Sequence, residues 1–137
     1  SKLDNDSSIS EKNYFSIKRV VSPELLQMKN GLSVRLIGIR EIEEYRRKAI
    51  EFLRLKTKGQ KVFLKYDDIK HDNKDNLMAY LYLKNKTFVN AHLIKQGLVR
   101  ADRDLEYREK EKFIRLENHN GQRMDIEQCN EQVPAEL

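Results

Sequence analysis

One arginine lies inside an otherwise apolar predicted strand, and charged side chains follow where that strand ends. The strand covers residues 34–39 with Arg35 as its single charge, and Arg40, Glu41 and Glu43 come soon after it. A guanidinium carries a planar fork of donors that fits two oxygens of a phosphate or a carboxylate. A carboxylate can hold a metal ion or accept a proton. These residue types are suited to phosphate chemistry if the fold brings them together.

A second group of residues raises the question of a metal site, in a polar segment that we predict to be a loop. His71 stands among three aspartates, which are Asp67, Asp68 and Asp72. Ligands so close together on a loop more often remain solvated, so we predict no metal here. His92 is interpreted as a packing or surface residue, and His119 has no second histidine or acidic partner that would complete a nuclease motif. No glycine-rich phosphate loop is present.

Hydrophobic periodicity predicts five strands and three helices. The strands cover residues 14–21, 25–29, 33–39, 61–66 and 77–83, and the helices cover residues 41–56, 91–96 and 105–116. Asn30-Gly31 tolerates positive φ angles, so it predicts a tight primed turn between the second and third strands. Gly97 is the predicted C-cap of the middle helix. This order of elements matches an α+β fold on a small, partly open five-stranded barrel of the OB type, which commonly binds nucleic acid or sugar chains.

The order of several motifs resembles the staphylococcal nuclease-like family. The strand 34–39 is followed by Ala79-Tyr80-Leu81-Tyr82, then by Val89-Asn90, then by Gln96-Gly97-Leu98. The resemblance covers roughly residues 14–118 and depends on the combination, because each motif alone is common. It supports the same OB-type barrel, and it implies that active members cleave phosphodiesters with a bound calcium ion.

Active members of the family hold calcium with acidic residues after the first strand and at the end of the third, and this chain departs from both. The first turn, residues 20–24, offers only Glu24 where the family has an Asp-Gly-Asp type of turn. Arg40 stands where the family has an aspartate, and Glu41 stands where a hydroxyl residue usually follows. A guanidinium beside the ion would repel it, so we expect no metal binding in the family's mode.

The two arginines that brace phosphate in the family are retained unequally. Arg35 matches the one on the third strand, whereas Asn76 takes the place of the other and Lys74 is the nearest cation. Glu43 or Glu44 would stand near the family's general base. The resemblance thus implies a degenerate site with Arg35 and Glu43 as its catalytic candidates. Because one electrostatic clamp alone can contribute about a hundredfold to the rate, we expect no cleavage by the family mechanism.

Positive charge is concentrated in the predicted domain. The chain carries +5 overall, but residues 1–13 carry −1 and residues 119–137 carry −3, which leaves +9 on residues 14–118. We interpret residues 1–13 as a flexible N-terminal segment, residues 14–118 as the nuclease-like domain and residues 119–137 as a flexible acidic tail. A basic body attracts phosphate, so nucleic acid is the expected partner, with DNA favoured over RNA.

Composition excludes several classes of protein. No stretch approaches the roughly 18 apolar residues of a membrane span, and no signal peptide is recognisable. Cys129 is the single cysteine, which excludes an internal disulfide or a cysteine zinc cluster. We therefore expect a cytoplasmic protein without a membrane partner. The sequence begins without methionine, and we expect it to be part of a larger DNA-acting protein of the restriction or modification type.

Three functions remain open. The first is a nucleic-acid-binding or interaction module without nuclease activity or a cofactor, whose candidate phosphate contacts are Arg35, Arg40, Lys65, Lys74, Lys84 and Lys86. The second is a calcium-dependent nuclease with a rearranged metal site, in which Glu24, Glu41 or Glu43 supplies ligands or the base and Arg35 is the clamp. The third is a protein–protein scaffold whose basic surface has no nucleic-acid partner.

Overall fold

The computed structural model describes residues 14–119 of the 137-residue chain, so the predicted N-terminal segment, most of the predicted tail and Cys129 lie outside the described residues. The strands are β1 (Tyr14–Ser22), β2 (Leu25–Met28), β3 (Ser33–Leu36), β4 (Ile39–Glu41), β5 (Lys61–Lys65), β6 (Leu77–Leu83) and β7 (Val99–Ala101). The helices are α1 (Arg46–Thr57), α2 (Val89–Lys95) and α3 (residues 110–119). Among these residues, no helix has the length and apolarity that a bilayer span requires.

Five of the strands close into a barrel in the order β1-β2-β3-β6-β5. Neighbouring strands run antiparallel except β3 and β6, which are parallel and place Arg35 opposite Met78. Apolar side chains alternate inward along the short strands, as Leu26 and Met28 do on β2. The predicted α+β fold with an OB-type barrel and three helices is confirmed, with the difference that the barrel is closed.

The predicted third strand is two strands separated by a turn. Gly38 lies between β3 and β4 and has a φ of +80°. A Cβ on this glycine would lie 2.6 Å from Phe113 Cδ2 and 2.7 Å from Tyr107 Cε2, so the close approach of these rings requires glycine. The turn places Arg35 and Arg40 on different strands, β3 and β4.

The sequence does not predict β7, which pairs with β4 in a separate two-stranded sheet. The pairing is antiparallel and sets Arg40 directly opposite Arg100. Three residues are too few for an alternating pattern to be recognised in a sequence. Two positive side chains in this position repel each other, so the pair marks a place where negative charge would be stabilised.

The hairpin between β2 and β3 is confirmed, but the tight primed turn is wrong. Gly31 has a φ of +96°, whereas Asn30 has no positive φ. The connection spans four residues and is closed by a hydrogen bond from Met28 N to Leu32 O of 2.8 Å. Asn30 acts through its side chain instead, because its Oδ1 accepts a hydrogen bond from Leu32 N at 3.0 Å.

Two of the predicted helices begin later than expected. A 3-10 turn, Glu43–Tyr45, precedes α1, and α3 begins at residue 110 instead of 105. Asp102 explains the second difference: its Oδ1 accepts hydrogen bonds from the N–H groups of Asp104 and Leu105, and its carbonyl accepts one from Tyr107 Oη. Such local bonds compete with helical ones.

The middle helix, α2, starts two residues earlier than predicted and carries a fully buried amide. Asn90 Oδ1 accepts a hydrogen bond from Leu81 N at 2.8 Å, and its Nδ2 donates to Ile37 O at 2.9 Å. The amide thereby ties β6 to the turn between β3 and β4. Gly97 follows the helix with a φ of +73°, as its predicted C-cap role requires.

Candidate functional site

Arg35 lies between two carboxylates. Its Nη2 is 3.4 Å from Glu24 Oε1, its Nη1 is 3.5 Å from Asp72 Oδ2, and its side chain is 22% exposed. Glu24 belongs to the turn between β1 and β2, and Asp72 belongs to the loop between β5 and β6. Within the described residues, the buried Nε of Arg35 has no hydrogen-bond partner. The donor fork that could bind phosphate is therefore already in contact with the protein's own acids.

Glu24 connects Arg35 to Arg40 and to the backbone of β4. Its Oε1 is 3.7 Å from Arg40 Nη1, and its Oε2 accepts a hydrogen bond from Glu41 N at 2.6 Å. Glu41 in turn accepts a hydrogen bond from Arg46 Nη1 at 2.6 Å. Both oxygens of Glu24 are thus engaged, and the guanidinium groups of Arg35 and Arg40 compensate its negative charge.

Asp72 is the most densely bonded acid of the site. Its carboxylate is 6% exposed and accepts hydrogen bonds from Lys74 N, Asn76 N and Asn76 Nδ2, at 2.9, 2.8 and 3.0 Å, besides the contact with Arg35. Burial alone would raise the pKa of Asp72, but these donors outweigh it and the pKa lies below its ordinary value. Asn76 therefore orients the carboxylate that contacts Arg35.

The candidate general base lies close to this network. Glu43 and Glu44 are exposed in the 3-10 turn before α1. A surface depression of about 510 Å³ is lined by Glu24, Arg40, Glu41, Glu43 and Arg46. The three glutamates that the nuclease hypothesis requires, Glu24, Glu41 and Glu43, thus border one depression. Two of them, Glu24 and Glu41, are bonded to arginines, and within residues 14–119 no group of three metal-binding side chains converges.

The aspartates around His71 serve separate structural contacts. Asp67 is buried and accepts hydrogen bonds from Tyr80 Oη and Arg108 N. Its burial opposes ionisation, but these hydrogen bonds prevail and lower the pKa of Asp67. Asp72 faces Arg35, and His71 is exposed and pairs through its backbone with Leu77. The residues of this loop are close in sequence without forming a common site.

The predicted phosphate contacts come from several elements of the fold. Arg35 and Arg40 both contact Glu24, and Lys74 is exposed in the loop between β5 and β6. Lys65 is exposed at the end of β5, Lys84 follows β6 directly, and Lys86 comes two residues later with a φ of +76°.

Two of these lysines, Lys65 and Lys84, lie over aromatic rings. Lys65 Nζ is 4.8 Å from the centroid of Tyr82. The rings of Phe63 and Tyr82 are stacked at 5.2 Å, and those of Tyr82 and Phe88 at 4.5 Å, within 11° of parallel. Near-parallel rings at these centroid distances are offset, so Phe63 and Phe88 each cover part of Tyr82. This surface therefore combines ammonium groups with partly covered aromatic rings.

Two residues of the site escape prediction from the sequence. Arg100 requires knowledge of β7, because only the strand pairing places it opposite Arg40. Asp72 had a local signal, since an aspartate followed by polar residues forms turns through bonds to nearby N–H groups. That signal predicts the loop but not its contact with Arg35, which lies 37 positions away in the sequence.

Comparisons with known proteins agree with the fold. The family described as staphylococcal nuclease homologue matches residues 15–124. No curated protein sequence matches the chain at a significant level. The family match covers the barrel except Tyr14, the first residue of β1, and extends past residue 119, where the described residues end. The chain therefore belongs to the staphylococcal nuclease homologue family.

Proposed function

We propose that this domain binds nucleic acid and does not cleave it by the calcium-dependent mechanism expected of active family members. One observation carries the proposal: the carboxylate of Glu24 is shared by Arg35, Arg40 and the N–H of Glu41. As further parts of the proposal, the domain acts in the cytoplasm within a larger DNA-acting protein of the restriction or modification type. Those parts rest on composition and on the family resemblance alone.

The arrangement around Glu24 opposes a divalent cation. Calcium needs about six to eight oxygen ligands, and carboxylates supply the charge that holds it. Here one carboxylate already has a guanidinium 3.4 Å away and another 3.7 Å away. A metal ion would have to displace Arg40 and would then lie beside Arg35, where like charges repel.

The remaining phosphate clamp is also restrained. Arg35 could brace a phosphate only by leaving Glu24 and Asp72, because its terminal nitrogens lie within 3.5 Å of both carboxylates. The family's second clamp is replaced by Asn76, which cannot supply a positive charge. With a restrained first clamp and no second one, the charge that develops on a phosphate in the transition state would be poorly stabilised.

Nucleic-acid binding is supported by the charge and by the family. Residues 14–118 carry +9, and Lys65, Lys74, Lys84 and Lys86 are all exposed. These lysines remain the best of the predicted phosphate contacts because they can reach a ligand without breaking a contact with an acid. DNA is the proposed polymer. The exposed pair of Arg40 and Arg100 could add an anion contact where the family holds its cation.

A binding and cleavage assay tests the proposal. Labelled single-stranded and duplex DNA and RNA are titrated with the 137-residue chain at two salt concentrations, with and without calcium, and the products are separated on a gel. We expect binding that weakens steeply with salt and leaves the substrate intact, because phosphate contacts release counterions. Calcium-dependent product that is lost in Arg35→Ala would refute the proposal and establish the nuclease alternative.

The nuclease alternative is favoured by one observation. Glu43 is exposed and borders the same depression as Glu24 and Glu41, so a base and two acids are near one another. Only in this alternative does the domain need calcium. If no nucleic acid binds in a salt-sensitive manner and no product forms, the protein–protein scaffold is the function that remains.

A further inference from the structure

A basic groove lies away from the Arg35 site, between β1, the turn after β2 and the end of α1. Its volume is about 440 Å³. Five of the residues that line it are cationic and none is acidic; the cations are Lys18, Arg19, Lys29, Arg54 and Lys58. It shares no residue with the depression at Glu24. None of these five cations is among the phosphate contacts predicted from the sequence.

The cations of the groove are exposed and largely without acidic partners. Arg54 pairs with Glu51 at 3.0 Å, and Arg19 Nε donates to Gln27 Oε1 at 3.1 Å, which orients its side chain. Within residues 14–119, no carboxylate forms an ion pair with Lys18, Lys29 or Lys58. As far as residues 14–119 are concerned, the groove therefore concentrates positive charge that acids compensate only at Arg54.

The negative end of α1 explains only two of the five cations in the groove. Basic residues at the end of a helix compensate its negative end, which accounts for Arg54 and Lys58. Lys18 and Arg19 lie on β1 and Lys29 follows β2, so the helix dipole gives no reason for them. The helix end contributes roughly half a negative charge, which is small beside five cations.

The wall of the groove is aliphatic where it is not charged. Ile17 and Val20 of β1 line it together with Leu55, whose side chain is 64% exposed on α1. A double helix presents phosphates and keeps its bases stacked inside, so it would leave this apolar surface uncovered. A single strand presents phosphates and unpaired bases together and can cover both kinds of surface.

We infer that this groove binds single-stranded nucleic acid, with the lysines contacting phosphates and the aliphatic wall covered by bases. The inference rests on the proposed function and gives it a binding surface outside the family's catalytic pocket. The affinity comes mainly from counterion release. The aliphatic wall gives a preference for unpaired strands and no base readout, since no aromatic side chain lines the groove.

Two triple variants of equal charge change test the groove. Lys18→Glu, Lys29→Glu and Lys58→Glu reverse the groove. The control, Lys48→Glu, Lys70→Glu and Lys95→Glu, reverses three lysines that neither line the groove nor belong to the predicted phosphate contacts. All six lysines are exposed, so neither variant disturbs the core, and circular dichroism verifies folding. Binding of the full chain to labelled oligothymidylate is measured at several salt concentrations, with a duplex of equal length as competitor.

We expect the groove variant to lose about tenfold or more in affinity and its salt slope to fall by about two, at roughly 0.7 for each lost single-strand contact. Leu55→Ser should weaken oligothymidylate binding and leave duplex binding unchanged. Equal losses in both triple variants, or duplex competing as well as the single strand, would overturn the inference. So would wild-type affinity in the groove variant, and the proposed function would then survive. If the wild-type chain binds no nucleic acid, both fail together.

Discussion

Replacing Asn90 by leucine should destabilise the domain severely, although the two side chains are similar in size. The amide of Asn90 is fully buried and makes two hydrogen bonds to backbone groups, Leu81 N at 2.8 Å and Ile37 O at 2.9 Å. Leucine would leave that N–H and that carbonyl buried without partners. Each orphaned group costs about 1–3 kcal/mol, so the free energy of unfolding should fall by about 2–5 kcal/mol.

Urea denaturation followed by circular dichroism measures this loss. The midpoint should decrease while the dependence on urea stays the same, because the surface exposed on unfolding hardly changes. Asn73→Leu is the matched control, since Asn73 is exposed and the same substitution there should change stability by less than about 0.5 kcal/mol. A loss below about 1 kcal/mol in the Asn90 variant would refute the reasoning, because two buried groups left without hydrogen bonds should together cost more than this.

Three further perturbations test the turn, the acid network and the cation position. Gly38→Ala should lower the free energy of unfolding by about 2–5 kcal/mol, because it combines a positive φ with a clash against Phe113; Gly59→Ala has the strain without the clash and should cost about 1–2 kcal/mol. Both are measured by urea denaturation, and equal losses would contradict the close approach. Because the fold lowers the pKa of Asp72 from its ordinary value of 3.8, the ionised carboxylate stabilises the fold at pH values above 3.8. This stability should be lost as the pH falls below about 4. Asp72→Asn should flatten that acid limb of the stability profile, and an unchanged profile would show that other groups cause it. Arg40→Asp should create a calcium-dependent rise in melting temperature that Arg40→Ala lacks, and no rise in either variant would show that charge at this position does not control metal binding.

The barrel is predictable from the sequence because its elements are long and their order is distinctive. The seven residues of β6 read as a buried strand with the bounds that the structure has. Two local features, the turn at Gly38 and the start of α3, could not be predicted from the sequence. Gly38 interrupts a strand pattern that periodicity reads as continuous, because the clash with Phe113 that demands glycine is a tertiary contact. The same limit applies to α3, whose start is set by hydrogen bonds to Asp102 rather than by apolar spacing.

The residues of the site are partly predictable, but their relations are not. Arg35, Arg40 and Glu24 could be located from motif order and from strand ends, and the structure brings them together. Asp72 could be placed only on a polar loop, since its contact with Arg35 joins β3 to a loop far along the chain. Whether a guanidinium is free or paired depends on such contacts, so the sequence cannot decide which arginines are available to a ligand.

The pairing also determines what a single substitution at Arg40 can achieve. The network holds the three cations Arg35, Arg40 and Arg46 against the three acids Glu24, Glu41 and Asp72. Such a balanced set gains little from a further cation. Changing Arg40 to aspartate leaves two cations against four acids and favours a metal ion, but it adds no second clamp.

Cleavage therefore requires more than a bound metal ion. Asn76 would still bind Asp72, and Asp72 would still restrain Arg35. A calcium-binding Arg40→Asp variant should thus remain inactive in the gel assay that tests the proposed function, because metal binding and phosphate bracing depend on different residues of the same network. Cleavage by this variant alone would show that the contacts of Arg35 with Glu24 and Asp72 do not restrain it.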